Sequence, residues 1–248
     1  GGSAAGMMGV TGMNAKSDAE GFFVAYLQGM PCDPNPPYGH PACNSGQAGW
    51  NSGLTPELGI VTDDVLFVRD VLTRLEESLR VDVRRVYATG LSNGAFMTHR
   101  LGAELPDLLA AIAPVAGTVG VRDSGGTLLT IPAPTGSIPV MIVHGVLDPN
   151  VRYYGGVGAG AGTLDVLPVQ DGVEFWRAAN SCTAAPVTQT SPNGNIVVDF
   201  YGGCFLMSHV KLVSIGNGLH VWPTQNPLGT GFPATDAIWN FFENHLLT

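Results

Sequence analysis

Lysine is almost missing from this chain: among 248 residues only Lys16 and Lys211 are lysines, and the formal net charge is −9. Nucleic-acid binding needs a basic footprint that neutralises phosphates, so no nucleic-acid partner is expected. Charged residues make up only 12 %, while there are 34 glycines and 18 prolines; that balance predicts a loop-rich chain rather than one of long helices. No apolar run approaches the ~20 residues that cross a bilayer, and no membrane partner is expected. No pair among the six histidines has ligand spacing, and the four cysteines contain no Cys-x-x-Cys, so no zinc or other metal site is expected. The Gly-rich run Gly155 to Gly162 is not followed by the Lys-Ser/Thr of a phosphate loop and reads as a flexible loop. No cofactor is implied. No leader is visible, as in a mature or trimmed chain.

What is present supports a core. Hydrophobic residues are 45 %, and 248 residues suffice for one sizeable domain or two small ones; a single domain over residues 1–248 is expected. Cys32 and Cys43 bracket a Pro-rich loop, and Cys182 and Cys204 bracket a predicted hairpin. Two local disulfides in a secreted protein are expected, four buried thiols being the alternative. Helices are predicted over Asn14–Glu20, from a cap at Thr62 or Asp63 to Leu79, after Ser92 to near Pro106, and over Asp171–Asn180 and Asp236–Leu247. Strands are predicted at Phe22–Leu27, Val83–Ala88, Ala110–Ala116, Pro139–His144, 195–201 and 210–215, with loops at 28–59 and 117–137. Alternating strands and helices indicate a mostly parallel sheet covered on both faces, whose ligands bind beyond the carboxyl ends of the strands.

The chemistry concentrates at Gly90-Leu91-Ser92-Asn93-Gly94. A Gly-x-Ser-x-Gly between a predicted strand and a predicted helix is the context of a nucleophile elbow, in which a sharp turn presents the serine hydroxyl. A hydroxyl needs a base, and the base needs a group that fixes its tautomer. In the order Ser, acid, His, the sequence offers Asp148, just past a buried strand, and His220, in the Gly-rich loop after the 210–215 strand. The backbone N–H of Asn93 is the expected oxyanion donor, and Gly1–Gly6 is the candidate loop for a second one. His99 and His144 read as structural. Trp50 and Trp222 are candidate substrate-binding residues, and Trp176 and Trp239 read as core.

These motifs, with Gly1–Gly6, Asn14–Phe22, Val61–Val65, Arg85–Ala95, Ala113–Gly117, His144–Asp148 and Gly218–Pro223, resemble secreted esterases of the poly(3-hydroxybutyrate) depolymerase and feruloyl esterase group, related to carbohydrate esterase family one. The resemblance implies an α/β-hydrolase fold, with Ser92 as nucleophile, Asp148 as orienting acid and His220 as base. In such proteins the Gly-Gly-Ser stretch follows a His-Gly turn and several strands. The expectation here is therefore a sheet apparently lacking its first strands, with an unpaired edge. The segment Met30–Ser45 has no counterpart in the group's pattern. The implied activity is acyl-enzyme hydrolysis of feruloyl or acetyl esters of plant polysaccharide, or of polyesters such as poly(3-hydroxybutyrate). The competing reading is a catalytically impaired binding protein on a hydrolase scaffold.

Overall fold

In a computed structural model of the protein, residues 2–31, 48–55, 60–159, 164–225 and 230–247 are described. The expected Cys32–Cys43 bridge lies outside them, as do His40 and Gly1. The elements are α1 (Ala4–Thr11), α2 (Met13–Glu20), β1 (Met30–Pro31), β2 (Ala48–Gly49), α3 (Asp64–Ser78), β3 (Tyr87–Leu91), α4 (Asn93–Glu104) and β4 (Ala111–Val115). They continue with β5 (Gly120–Arg122), β6 (Leu128–Thr130), β7 (Val140–Gly145), β8 (Gly156–Val157), β9 (Asp165–Val166) and α5 (Val169–Ala179). The last are β10 (Val187–Thr190), β11 (Ile196–Tyr201), β12 (Val210–Ile215) and α6 (Ala234–Phe242).

Among the described residues, the central sheet has six strands in the order β10-β11-β12-β7-β4-β3. From β3 to β12 all pairs are parallel, and β11 and β10 add an antiparallel hairpin. Successive side chains on a strand point to opposite faces, and the core divides accordingly. Ile112, Val140, Ile142, Val210 and Leu212 pack with Val68, Phe96, Met97 and Leu101 from α3 and α4, and with Val173 and Trp176 from α5. Ala111, Ala113, Val115, Met141, Val143, Val213 and Ile215 pack on the other face with Met13 of α2 and with Ile238, Phe241 and Phe242 of α6. The strands are buried on both faces, which is why their sequences read as continuous apolar runs rather than alternating ones.

Helix starts follow local chemistry. Asp63 caps α3 by accepting from the Leu66 amide at 3.0 Å. Several expectations need correction. Residues 83–86 are not strand: Asp82 turns the chain, accepting from the Arg84 amide while its own carbonyl accepts from the Arg85 amide, so β3 starts at Tyr87. Phe22–Leu27 joins no ladder among the described residues. Among the described residues, β3 is one edge of the sheet. Within the Gly1–Gly6 candidate loop, Ala4–Gly6 form the start of α1, with Ser3 as its cap. The 117–137 stretch and the start of the Gly155 run are not plain loops; they supply β5, β6 and β8 to a four-stranded second sheet with β9. The hairpin expected between Cys182 and Cys204 is β10–β11, and those two cysteines are disulfide-bonded.

Candidate active site

Three loops leave the carboxyl ends of parallel strands at one end of the sheet. Ser92 follows β3, Asp148 follows β7, and His220 follows β12; β7 and β12 are neighbours and β4 separates β7 from β3.

Ser92 sits at φ 60° and ψ −122° as the residue before α4. That combination is outside even the left-handed helical well and is ordinarily reserved for glycine, so the turn is strained at a non-glycine residue. Neighbours hold it there. The Ser92 amide donates to the Val115 carbonyl at 3.1 Å, and its carbonyl accepts from the amides of Ala95 and Phe96 at 2.8 and 3.0 Å. The turn is tight enough that a Cβ on Gly90 would lie 2.5 Å from the Gly94 carbonyl oxygen. This explains the glycine two residues before the serine; a Cβ on Gly94 would meet nothing within 4 Å. The Asn93 amide opens α4 beside it and donates to no acceptor among the described residues; the first amides of a helix have no intrahelical partner and carry positive potential.

Asp148 is buried and saturated. Its Oδ1 accepts from the amides of Asn150 and Val151 at 2.8 and 2.9 Å, and its Oδ2 accepts from His220 Nδ1 at 2.7 Å. Burial works to raise the Asp148 pKa, but hydrogen bonds from His144 and His220, the His220 charge and the Asn150 amide outweigh it and hold the carboxyl well below the usual carboxylate range. An ionised Asp148 fixes the proton of His220 on Nδ1, which leaves Nε2 as a free acceptor. The His220 side chain is 14 % exposed, and it lines the same cavity as Ser92. No hydrogen bond joins the Ser92 hydroxyl to His220 among the described residues, a looseness familiar from sites without substrate.

Two glycines set the Asp148–His220 distance. Gly145 and Gly218 touch back to back: a Cβ on Gly218 would lie 2.7 Å from the Gly145 Cα, and one on Gly145 would lie 2.4 Å from the Gly218 carbonyl. The Leu147 amide then donates to the Gly218 carbonyl at 3.0 Å. Only bare backbone lets the two loops come this close.

His144 is nearer the chemistry than its reading as a packing residue implies. Its Nε2 is 2.7 Å from the Val151 carbonyl and 3.5 Å from Asp148 Oδ2, so two imidazoles face one carboxylate oxygen. The i, i+4 spacing of His144 and Asp148 across a strand end was the signal for this. His99 lies fully buried, accepting from the Trp176 indole N–H at 2.9 Å; burial, and then His144, pushes its pKa down to about 3.

A cavity of about 1080 Å³ runs from Ser92, Asn93 and His220 along the outer edge of β3 to the Phe22–Gln28 segment. Trp50 is half-buried, borders this cavity, and stacks near Phe67 with centroids 6.3 Å apart. Trp222 also borders it but is only 5 % exposed, with its indole N–H donating to Thr235 Oγ1 at 3.0 Å. It packs with the α6 face of the core. Gly2, Ser3 and Ala4 reach the cavity too, yet the Ala4 amide is engaged by Gln28 Oε1 and the Gly6 amide by Ser3 Oγ.

No protein-family model matches the chain. It is 30 % identical to a putative esterase, NocK, of Nocardia uniformis subsp. tsuyamanensis, in an alignment of 271 positions that covers 100 % of this chain and 69 % of the relative. It is also 30 % identical over 162 positions to feruloyl esterase B of Piromyces equi, covering 64 % of this chain but only 29 % of that protein's length. Among solved structures, an acetyl xylan esterase from Aspergillus awamori superposes with a TM-score of 0.63 at 15 % identity, covering 98 % of this chain and 85 % of that one. At that identity the likeness speaks to fold, and the fold is that of α/β-hydrolases.

Proposed function

The chain belongs to the family of the Nocardia putative esterase and is a carboxylic ester hydrolase, and we propose that it works through Ser92 as nucleophile, His220 as base and Asp148 as the group that orients His220. The observation that carries this is the 2.7 Å His220–Asp148 hydrogen bond. It leaves His220 Nε2 as acceptor in a cavity that the strained Ser92 turn also lines.

In the first step His220 Nε2 takes the Ser92 proton while Oγ bonds to the ester carbonyl carbon. The carbonyl oxygen becomes an oxyanion beside the Asn93 amide, where a preformed donor is worth about 10²–10³ in rate. Collapse breaks the bond to the alcohol, which leaves with the proton from His220, and an acyl-Ser92 remains. Water then gives a proton to His220 and attacks the acyl carbon; the second collapse frees the acid and returns the proton to Ser92. Asp148 stays ionised throughout, consistent with its depressed pKa.

For substrate, the feruloyl esterase relative and a flat indole at Trp50 favour esters of an aromatic acid on plant polysaccharide; a polyester such as poly(3-hydroxybutyrate) is the alternative. The Cys182–Cys204 disulfide supports an exported protein.

Ser92→Ala decides the mechanism. Hydrolysis of p-nitrophenyl acetate should fall by at least about 10³-fold, and a fluorophosphonate probe should label the parent protein and not the variant. Full activity in Ser92→Ala overturns the assignment. Methyl ferulate, acetylated xylan and poly(3-hydroxybutyrate) assayed side by side decide the substrate, with ferulate expected to lead.

A further inference from the structure

Asn93 has a second set of contacts that its backbone role does not use. The residue is 7 % exposed, and its side chain grips the backbone of Trp50 at both ends. Oδ1 accepts from the Trp50 amide at 2.7 Å, and Nδ2 donates to the Trp50 carbonyl at 3.1 Å and reaches Thr55 Oγ1 at 3.4 Å. A carboxamide paired this way with one residue's N–H and C=O imitates a strand partner.

The next residue is held as firmly. The Asn51 amide donates to Asp64 Oδ2 at 2.7 Å, its side-chain Nδ2 donates to the Thr62 carbonyl at 2.9 Å, and its carbonyl accepts from Arg100 Nη1 at 2.7 Å. Asp64 is 3 % exposed and also accepts from Thr62 Oγ1; Arg100 is oriented by Glu104 at 2.6 Å. Residues 50–55 carry no helix or strand. Their place is set by side chains from the first turn of α3 and from α4, the helix that begins at the nucleophile.

We propose, resting on the Ser92 mechanism above, that Asn93 is a specificity-determining positioning residue: its carboxamide fixes Trp50 at the wall of the Ser92 cavity, so that a bulky aromatic acyl group finds a preformed flat face. A small acetyl group needs no such wall. The same residue supplies the amide at the oxyanion position, so the wall and the reacting oxygen are registered to a single Cα. Pre-ordering of the wall spares the substrate the entropy of arranging it, and the aromatic ring gains offset stacking that acetate cannot make.

The test uses Asn93→Ala, which removes all three contacts, and Arg100→Met, which loosens Asn51 by removing one of the three bonds that hold it, without reaching Ser92. Acrylamide quenching of Trp50, taken as the difference from the matching Trp50→Phe protein, is measured in a Ser92→Ala background and so does not depend on catalysis. It should rise severalfold in both variants. In the Ser92 proteins, Asn93→Ala should lower kcat/KM on methyl ferulate about tenfold more than on p-nitrophenyl acetate, mostly through KM, as expected when buried hydrogen bonds to a wall are lost. Arg100→Met should raise the ferulate KM with acetate turnover unchanged. Equal losses on both esters, or unaltered Trp50 quenching, overturns the proposal; if Asn93→Ala does not fold, the Arg100→Met results decide it by the same criteria. Failure of the serine mechanism would appear instead as acetate hydrolysis surviving in Ser92→Ala, with the quenching result standing by itself.

Discussion

Replacing Gly218 with alanine should disable the site while leaving the fold standing. The added Cβ would lie 2.7 Å from the Gly145 Cα and 3.0 Å from the Ile215 Cβ. Carbon atoms rest at about 3.5–4 Å, so the β7 and β12 loops must part by roughly 1 Å. Asp148 travels with one loop and His220 with the other, and their hydrogen bond starts at 2.7 Å. Stretching it by about that amount carries it past ~3.5 Å, where it is no longer a hydrogen bond. A misplacement of about 1 Å typically costs ~10² in rate, and that is the expected fall in kcat on p-nitrophenyl acetate. Overpacking of this kind costs about 1–3 kcal/mol against a total of ~5–15 kcal/mol, so a cooperative melt and a native circular dichroism spectrum should survive. The downfield proton resonance of His220 Nδ1–H should vanish in the variant. Near-parent kcat with that resonance intact would show that the glycine pair does not set the distance, and the reasoning would be wrong.

Two further outcomes concern stability. Cys182→Ser with Cys204→Ser should lose about 3 kcal/mol by urea titration, the chain-entropy value for closing a loop of this size with a sequence separation of 22. Esterase turnover at 25 °C should be unchanged, because Cys204 adjoins the amino end of β12 and His220 follows its carboxyl end; a large kcat loss would contradict that placement. The pKa of His99 is about 3 in the fold against ~6.5 unfolded. The unfolded chain therefore binds a proton that the fold refuses. The stability of neutral pH is present above ~6.5 and is lost by about 1.4 kcal/mol per pH unit as pH falls toward 3. His99→Gln keeps an acceptor for Trp176 and should flatten the slope between about pH 6 and pH 4 by one proton; an unchanged slope would assign the acid loss elsewhere.

The legible parts of the sequence were those with a local grammar. The Ser92 turn could be read because its tightness demands a glycine at Gly90, and β4, β7 and β12 because double burial writes them as apolar runs. The order Ser92, Asp148, His220 follows from three loops beyond parallel strands, and the structure brings Asp148 and His220 into contact. Other features depend on partners distant in sequence. β5, β6, β8 and β9 are two or three residues long and show no period until they pair with one another. Phe22–Leu27 has strand composition, yet a strand exists only when something lies beside it. The grip of Asn93 on Trp50 spans 43 positions, and no local pattern announces it. Trp222, singled out by its place beside His220, borders the cavity, while its N–H goes to Thr235 and it shares a core cluster with α6, partners no local pattern shows.

The torsion at residue 92 carries a consequence for how this protein can decay. Glycine is the one residue at ease there, so mutation to glycine would be downhill in free energy and ruinous to turnover. Nothing in the folding of the molecule defends its hydroxyl; only demand for the reaction does, and a lineage released from that demand would be expected to lose the side chain before it lost the bend.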